Sequence, residues 1–414
     1  MRYLLLLLLI PSLLSAAAPV VSNVRAAQRA GTKLIDVTYD LSDSDSAAVF
    51  VSIQIYANGS TLPAFSLSGD VGSGVVPGFN KKITWNAGQD WNRQYTTSGS
   101  ARIIADDLTT TVPNSTLAYV PAGFSASNGY GSHLGQVGST VFTSGFYMDK
   151  TEISKGTWDT VKTWALANGY NFSDSGVVTP SNHPVVGVNW YDVVKWCNAR
   201  SEMEGLAPIY FTDATRTTVY RTGQVILRST FCNFTAPGYR LPTRAEWSKA
   251  AWGGSTSGPY PWPSYYGSGA EILDVGKGNY SSFTYSLWPT TAHYFTTPCG
   301  YFNGSQQTTG VPAGVAVKDM ANGFGLYDMF GNVREWLWDS YYTETTATAE
   351  YMDDNYKGPD LGLGNVRYGA GNRSSSGWDA QVQLDPSAHH ASGQPSGYGG
   401  GNGVSVGFRT VRGL

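Results

Sequence analysis

The sequence is most distinctive at NGFGLYDMFGNVREW, residues 322–336, where three glycines stand among four aromatic residues. The whole chain shares this character, since 49 of its 414 residues are Gly, 26 are Tyr and 13 are Trp. Charged residues make up only 14%. This profile is typical of a loop-rich fold whose irregular backbone is held by aromatic packing, and it argues against a helical bundle.

Two carboxylates in this stretch suggest a metal site. Asp328 and Glu335 lie seven residues apart, on either side of Gly331-Asn332. A turn at that dipeptide would aim nearby carbonyls inward, toward both side chains. Calcium prefers such hard oxygen ligands, so the stretch predicts a calcium loop. The alternative is a turn held by carboxylate-to-amide hydrogen bonds without a metal.

Three short helices before this stretch have recognisable ends. Thr243 and Glu246 fit a capping box, in which the threonine oxygen accepts from a backbone amide and Glu246 reaches back to the cap residue. Arg240, just before that helix, is expected to be buried and to pair with a carboxylate or with carbonyls. The predicted N-cap residues are Ser154, Asn189 and Thr243, and the glycines that end the helices are Gly169, Gly205 and Gly253.

The beginning of the chain has the alternating pattern of β-strands instead. The strand segments are 34–41, 49–56, 83–85 and 101–105. Asn58-Gly59 supplies a tight turn. We therefore predict an all-β sandwich, similar to immunoglobulin or fibronectin type III modules, over residues 19–109, serving as a spacer or adhesive module. A Thr-rich linker at 110–115 would join it to a second domain at 116–414.

The first residues resemble an export signal. Arg2 precedes a leucine-rich run from Leu4 to Leu14, and small residues follow at 15–18. This pattern predicts a cleaved signal peptide over residues 1–18, with a membrane anchor as the alternative. No later stretch is long and apolar enough for a transmembrane helix. The mature chain is therefore expected to be secreted, extracellular or periplasmic, and to have no membrane span.

Charge and cysteine content limit which partners and which disulfides we expect. The net charge of −3 gives no electrostatic reason to expect nucleic acid or an anionic membrane as a partner. The odd number of cysteines leaves at least one thiol free. Cys197 lies on the apolar face of a predicted helix and is expected in the core. Cys232 and Cys299 could pair, which only geometry can decide.

Six blocks of the sequence resemble one enzyme family, in that family's order over residues 116–413. The blocks are YVPAGF at 119–124, FYMDKTEIS at 146–154, HPVVGVNWYD at 183–192, YRLPTRAEW at 239–247, NGFGLYDMFGNVREW at 322–336 and GFRTVR at 407–412. The family is that of formylglycine-generating enzyme, or sulfatase-modifying factor. The resemblance implies an α+β fold, a variant of the C-type lectin fold with few regular elements and much ordered loop.

The resemblance also implies metal ligands. In the family, the segment that corresponds to residues 322–336 binds structural calcium. Matching by motif position gives the ligands as the side chains of Asp328 and Glu335 and the carbonyls of Gly331 and Val333. A second family site would begin at Asn279-Tyr280, although its later ligands cannot be aligned. Calcium is therefore the expected cofactor.

The catalytic segment departs from the family. Active members bind copper through two cysteines five residues apart, and with oxygen they convert a substrate cysteine into formylglycine. By count along the chain, those positions fall on Ser374 and Asp379, and no cysteine follows Cys299. Neither residue supplies the soft thiolate that copper(I) prefers, so copper is not expected.

The histidines offer no clear replacement for the missing thiolates. His389 and His390 are adjacent, so on an extended chain their side chains point apart. The remaining histidines are scattered in sequence, at His133, His183 and His293. A histidine metal site is therefore not expected.

Two functions remain open at this point. The first is a non-catalytic binding or structural module, whose lectin-like fold presents an aromatic, glycine-rich cleft to a protein, peptide or glycan partner in the extracytoplasmic space. The second is a divergent, oxygen-dependent protein-modifying oxidoreductase of the same family. The missing thiolates favour the first, and family membership alone would favour the second.

Overall fold

The computed structural model describes residues 17–62, 64, 66–108, 112–126, 140–173, 176, 179–253, 296–305, 319–329, 331–340, 366–369 and 406–414. Several predicted features lie outside these ranges. They are most of the signal peptide, part of the linker, Asn279, Tyr280, Ser374, Asp379, His133, His293, His389 and His390.

The N-terminal part, residues 20–106, consists of two β-sheets. Its elements are β1 Val20–Gln28, β2 Leu34–Ser42, β3 Val49–Ala57, β4 Ser60–Leu62, β5 Leu67–Gly69, β6 Gly72–Val75, β7 Gly78–Asn86, the single helical turn α1 Ala87–Asp90 and β8 Gly99–Asp106. One sheet has the strand order β1-β2-β7-β5. The other has the order β4-β3-β6, with β8 paired to β3.

Alternation along the strands explains how these sheets meet. In β2, Val37, Tyr39 and Leu41 are buried, while the residues between them are only partly so. They share one hydrophobic cluster with Ile53 of β3 and Trp85 of β7. The predicted strands are thus confirmed. The predicted turn is confirmed too, since Asn58 and Gly59 both have positive φ, at 52° and 80°.

The C-terminal part, residues 117–413, mixes short strands, three helices and long connections. Its elements are β9 Leu117–Val120, β10 Gly123–Ala126, β11 Thr140–Thr143, β12 Phe146–Asp149, α2 Lys155–Ala167, α3 Trp190–Met203, a 3-10 turn Ser229–Phe231, β13 Tyr239–Arg240, α4 Arg244–Trp252, β14 Arg334–Ser340, β15 Val366–Gly369, β16 Val406–Gly407 and β17 Val411–Gly413. Its sheets have the strand orders β13-β17-β12-β9, β15-β14-β16 and β10-β11. The expected α+β class is confirmed.

The predicted helix caps are present. The side chain of Ser154 accepts from the amide of Thr157, and that of Asn189 accepts from the amide of Asp192. Thr243 and Glu246 complete the capping box of α4, which ends at Gly253 in the left-handed conformation. Each cap joins residues three apart, so the local sequence suffices to specify it.

Aromatic side chains hold the long connections in place. The rings of Trp158 and Trp196 are stacked with centroids 5.8 Å apart, and Phe408 near the C-terminus packs edge-on against both. Another group forms around Trp338, which contacts Trp190. Within the described residues, no helix is long and apolar enough to cross a membrane.

The two parts share a buried junction. Phe50 of β3 belongs to a core cluster that otherwise consists of residues from the C-terminal part, including Trp247 and Phe324. The carboxylate of Asp106 accepts from the hydroxyl of Tyr119 at 2.7 Å. The N-terminal sheets therefore lie against the C-terminal part, while the linker bounds at 110–115 stay a prediction.

Candidate functional site

The site develops from the turn in residues 328–335. Asp328, Gly331 and Asn332 have positive φ values of 56°, 95° and 55°, which place the chain in a left-handed turn. The side chain of Asn332 is buried and accepts from the amide of Thr297 at 2.9 Å. The turn expected at Gly331-Asn332 is confirmed, and it leads directly into β14.

Glu335 of β14 is fully buried and ion-paired with Arg409. The Nε of Arg409 lies 3.0 and 2.9 Å from the two carboxylate oxygens, and its Nη2 lies 2.8 Å from Oε1. Trp247 donates its Nε1–H to Oε2 of Glu335 at 2.7 Å. Both oxygens of this carboxylate are therefore engaged by protein donors.

Arg409 connects this pair to the surrounding loops. Its Nη1 donates to the carbonyls of Asp149 and Lys150, at 3.3 Å each, and its Nη2 donates to the carbonyl of Tyr327 at 3.0 Å. The acids around it raise the pKa of the guanidinium against the opposing effect of burial, and the charge of Glu335 is the strongest of them. Arg409 therefore remains charged and ties β14 to the segment after β12.

Asp328 faces the same interior. Its Oδ2 accepts from the amide of Gly300 at 2.5 Å. Burial raises the pKa of this carboxyl, and the hydrogen bond from Gly300, the charge of Arg409 and a hydrogen bond with the side chain of Glu152 oppose that rise. Its left-handed backbone is uncommon for a non-glycine residue, so the surrounding structure fixes the carboxyl in this position.

Glu152 completes the group and was not singled out from the sequence. It is only 2% exposed, and among the described residues its carboxyl interacts with the side chain of Asp328 and is hydrogen-bonded to no basic side chain. Burial raises its pKa well above the usual value, the charges of Asp328 and Glu335 raise it further, and Arg409 lowers it. Glu152 lies within the block 146–154, but nothing in its local pattern distinguishes it from a surface acid.

These residues form an acid cluster, Glu152, Asp328 and Glu335, and among the described residues Arg409 is the cation that offsets their charge. If all three carboxyls were ionised, the cluster would carry two negative charges in excess inside the protein. Buried charge is costly unless it is paired, so the excess calls for bound protons or a bound cation. The thiol of Cys299 lies in the field of the same acids, and burial together with Glu152 and Asp328 raises its pKa.

The calcium ligand set implied by the family resemblance fits this site only in part. Asp328, Gly331 and Val333 lie in the turn, and Glu335 follows them in β14. Glu335, however, has no oxygen left for a metal while Arg409 and Trp247 hold it. Asp328 is held by the amide of Gly300 through Oδ2 and by a hydrogen bond with the side chain of Glu152. The residues implied at the second calcium site lie outside the described ranges.

The remaining described candidates have structural roles. Cys197, Cys232 and Cys299 are all free thiols, so the possible Cys232–Cys299 pair is not formed. Cys197 is fully buried, as expected of a core residue. His183 lies 2.9 Å from the hydroxyl of Thr296 through its Nδ1, and burial lowers its pKa.

An ion pair and a group of surface acids also have structural explanations that need no ligand. Arg240 pairs with Glu246 through two contacts of 2.7 Å, which confirms that it is buried against a carboxylate. The only described trio of acids at metal-ligand spacing is Asp43, Asp45 and Asp107, at the surface of the N-terminal part. Since Asp43 already accepts from the amide of Asp45, this trio resembles an ordinary surface turn.

Comparisons with known proteins agree on one relationship. Residues 107–414 match the sulfatase-modifying factor enzyme 1-like domain. Chaperone protein LppX of Paenibacillus barcinonensis is 32% identical over 260 residues, which cover 55% of this chain and 81% of that protein.

Enzymes of the same domain are more distant. The formylglycine-generating enzyme of Mus musculus is 27% identical over 211 residues, which cover 50% of this chain and 41% of that enzyme. The chain thus spans less than half the length of that relative. The solved structure of Treponema denticola variable protein 1 superposes with a TM-score of 0.47 at 23% identity, over 74% of this chain and 98% of the other.

Proposed function

The chain belongs to the sulfatase-modifying factor enzyme 1-like family, and from that premise we propose that it is a secreted, non-catalytic module that binds a partner protein. The proposal that the protein is non-catalytic rests on one observation. The two positions matched to the copper-binding cysteines are Ser374 and Asp379, and no cysteine follows Cys299. A hydroxyl and a carboxylate cannot replace two soft thiolates for copper(I).

Neither Cys197 nor Cys299 gives a substitute for that pair. Burial raises the pKa of Cys197 and of Cys299, so both are protonated near neutral pH. A protonated thiol is neither a good metal ligand nor a nucleophile. Thiolate chemistry at these two cysteines is therefore disfavoured.

The proposal that the protein binds a partner protein is supported by one of its relatives. Chaperone protein LppX bears a name that describes action on another protein, and this chain matches 81% of its length. The N-terminal sheets, which we propose to be an immunoglobulin- or fibronectin-like sandwich, would add binding surface beside a C-type-lectin-like C-terminal part. The leucine-rich start supports export to the extracellular or periplasmic space, where such a partner would be met.

The decisive experiment tests whether the protein converts a substrate cysteine into formylglycine. Purified protein is incubated with a Cys-x-Pro-x-Arg peptide, copper and reductant, and mass spectrometry monitors conversion of the cysteine to the aldehyde. The proposal expects no turnover above a no-enzyme control. Turnover would instead support the divergent oxidoreductase.

Partner binding is tested separately with immobilised protein and the exported protein fraction of the source cells. One protein recovered in near-equal amount, and absent from beads that carry the heat-unfolded chain, would support the proposal. Failure to recover any such protein would contradict it.

A further inference from the structure

Four side chains form a row across the sheet β13-β17-β12-β9. Arg412 of β17 pairs in register with Tyr239 of β13 on one side and with Tyr147 of β12 on the other. Tyr119 of β9 pairs in turn with Tyr147. Directly opposed residues of antiparallel strands place their side chains on the same face of the sheet. One cation therefore stands within a row of three tyrosines.

The two neighbouring rings hold the guanidinium of Arg412. Its central carbon lies 5.9 Å from the ring centroid of Tyr147 and 5.6 Å from that of Tyr239. Both distances are within the range of about 6 Å for cation–π contacts. The side chain is half-buried, and its Nε is enclosed without an acceptor. An anion can therefore approach only the end of the guanidinium that carries Nη1 and Nη2.

Arg412 differs from Arg200, which stacks on the same ring. The guanidinium of Arg200 lies 3.8 Å from the ring centroid of Tyr239, and it is paired with Asp149 at 2.9 Å and with Glu204 at 3.2 Å. Within the described ranges, no carboxylate or other acceptor contacts the guanidinium of Arg412. An enclosed donor without an acceptor calls for an explanation, and a bound ligand is one.

The acids beside the row have partners of their own. Asp106 accepts from the hydroxyl of Tyr119 at 2.7 Å, and Glu204 accepts from the hydroxyl of Tyr239 at 2.7 Å. Either acid would have to give up such a bond in order to turn toward Arg412. The positive charge of Arg412 is therefore left for a group from outside the row.

An apolar border lies next to this charge. A Cβ at Gly145 would lie 2.7 Å from the hydroxyl of Tyr119 and 3.3 Å from Cδ1 of Leu414, so both side chains extend over the bare backbone of that glycine. Leu414 is 63% exposed. Tyrosine and arginine are the residue types that most often dominate protein interfaces, usually inside a less critical rim.

We propose that this row is a docking site for an acidic segment of the partner protein, in which a carboxylate side chain binds the open end of Arg412. The planar guanidinium can donate two parallel hydrogen bonds to a carboxylate, and the rings of Tyr147 and Tyr239 fix its orientation. Tyr119 and Leu414 contact the apolar part of the same segment. The site rests on the proposed function, since it presupposes that a partner protein exists.

Protection from phenylglyoxal tests the site without any substitution. This reagent modifies accessible arginines, and mass spectrometry measures the rate at each residue of the full chain. Hexaglutamate should slow the modification of Arg412 and leave that of the exposed Arg93 unchanged, and hexaglutamine should protect neither. Equal slowing at both arginines, protection of Arg412 by hexaglutamine, or no protection by hexaglutamate would each overturn the assignment.

Partner recovery with immobilised variants separates this site from the proposed function. Arg412→Gln should retain about tenfold less partner than the wild type, because a charge-assisted hydrogen bond is lost. Arg412→Lys should also retain less, since lysine keeps the charge but not the fork. Arg93→Gln is the control, and a wild-type Tm shows that each variant is folded.

The outcomes of that recovery differ for the two proposals. If the wild type retains a partner and Arg412→Gln retains as much, the docking site is wrong while the proposed function stands. If the wild type retains no partner, the proposed function fails, and the protection assay decides whether the row binds carboxylates at all.

Discussion

The rings of Phe50 and Phe324 meet edge-on, with centroids 5.7 Å apart and planes at 69°. Phe50 comes from β3 of the N-terminal sheets, and Phe324 lies in the loop before the acid cluster. Phe50 is 6% exposed and has its packing partners in the C-terminal part. This contact joins the two parts into one buried junction.

Truncation of Phe50 should loosen that junction. Phe50→Ala is expected to reduce the free energy of unfolding by about 3 kcal/mol, through lost burial and the cavity left behind. In calorimetry, the unfolding transitions of the N-terminal and C-terminal parts should move apart in temperature. Phe79→Ala, at an 84% exposed position of the same part, is the control and should change stability by less than about 0.5 kcal/mol. Equal effects of the two substitutions would argue against a packed junction.

Substitution of Gly123 by any residue with a side chain should destabilise the protein. A Cβ at this position would lie 2.3 Å from the Oγ of Ser52 in the N-terminal part, and φ is +148°. Gly123→Ala is therefore expected to destabilise the protein by roughly 1–3 kcal/mol, as overpacked sites do. Ser52→Gly in the same chain should recover part of the loss in a denaturant titration. The absence of recovery would mean that the strain lies in the backbone of Gly123 alone.

Lys249 predicts a pH dependence with a definite sign. It is buried in α4, and its side-chain nitrogen donates to the carbonyl of Pro121 and to the hydroxyl of Thr143. Burial lowers its pKa to about 7, although the charges of Asp106 and Glu246 act to raise it. Between pH 7 and the ordinary value near 10.5 the unfolded chain holds a proton that the native chain lacks. Stability from this group therefore rises with pH, by at most about 1.4 kcal/mol per unit.

Comparison with Lys249→Met isolates that contribution, because all other groups titrate in both proteins. From pH 7 to pH 9, the free energy of unfolding of the wild type should rise by roughly 2–3 kcal/mol relative to the variant. Denaturant titrations at the two pH values measure it. A difference that does not change with pH would show that Lys249 keeps its ordinary pKa.

The pair of Arg409 and Glu335 should behave as a unit. Arg409→Met leaves a buried carboxylate without its cation and is expected to cost about 3–5 kcal/mol. Adding Glu335→Gln should recover part of that loss, because the carboxylate that paired directly with Arg409 is then neutral. A double-mutant cycle in denaturant measures the coupling between the two residues. A coupling near zero would contradict the central position given to this pair.

The sequence predicted what is determined locally. Ser154, Asn189 and Thr243 bond to residues three positions further on, so the caps are visible in short segments. Arg240 and Glu246 are equally close in sequence. Composition alone also indicated that aromatic packing would replace regular structure.

The acid cluster could not be predicted in the same way. Arg409 and Glu335 are separated by 74 residues, and the donors of Arg409 are taken up by three separate regions of the chain. The resemblance singled out Glu335 as a ligand, but it gave no sign that Arg409 and Trp247 would occupy its oxygens. Such competition for donors is a property of the folded chain.

The absence of a copper centre is the central claim, and copper(I) titration tests it most directly. Reduced, metal-free protein competes with a chromophoric copper(I) chelator, and bound copper per chain is measured. With Ser374 and Asp379 in the matched positions, no tight one-to-one site is expected. One copper(I) retained per chain against the chelator would contradict the account and return the protein to the oxidase class.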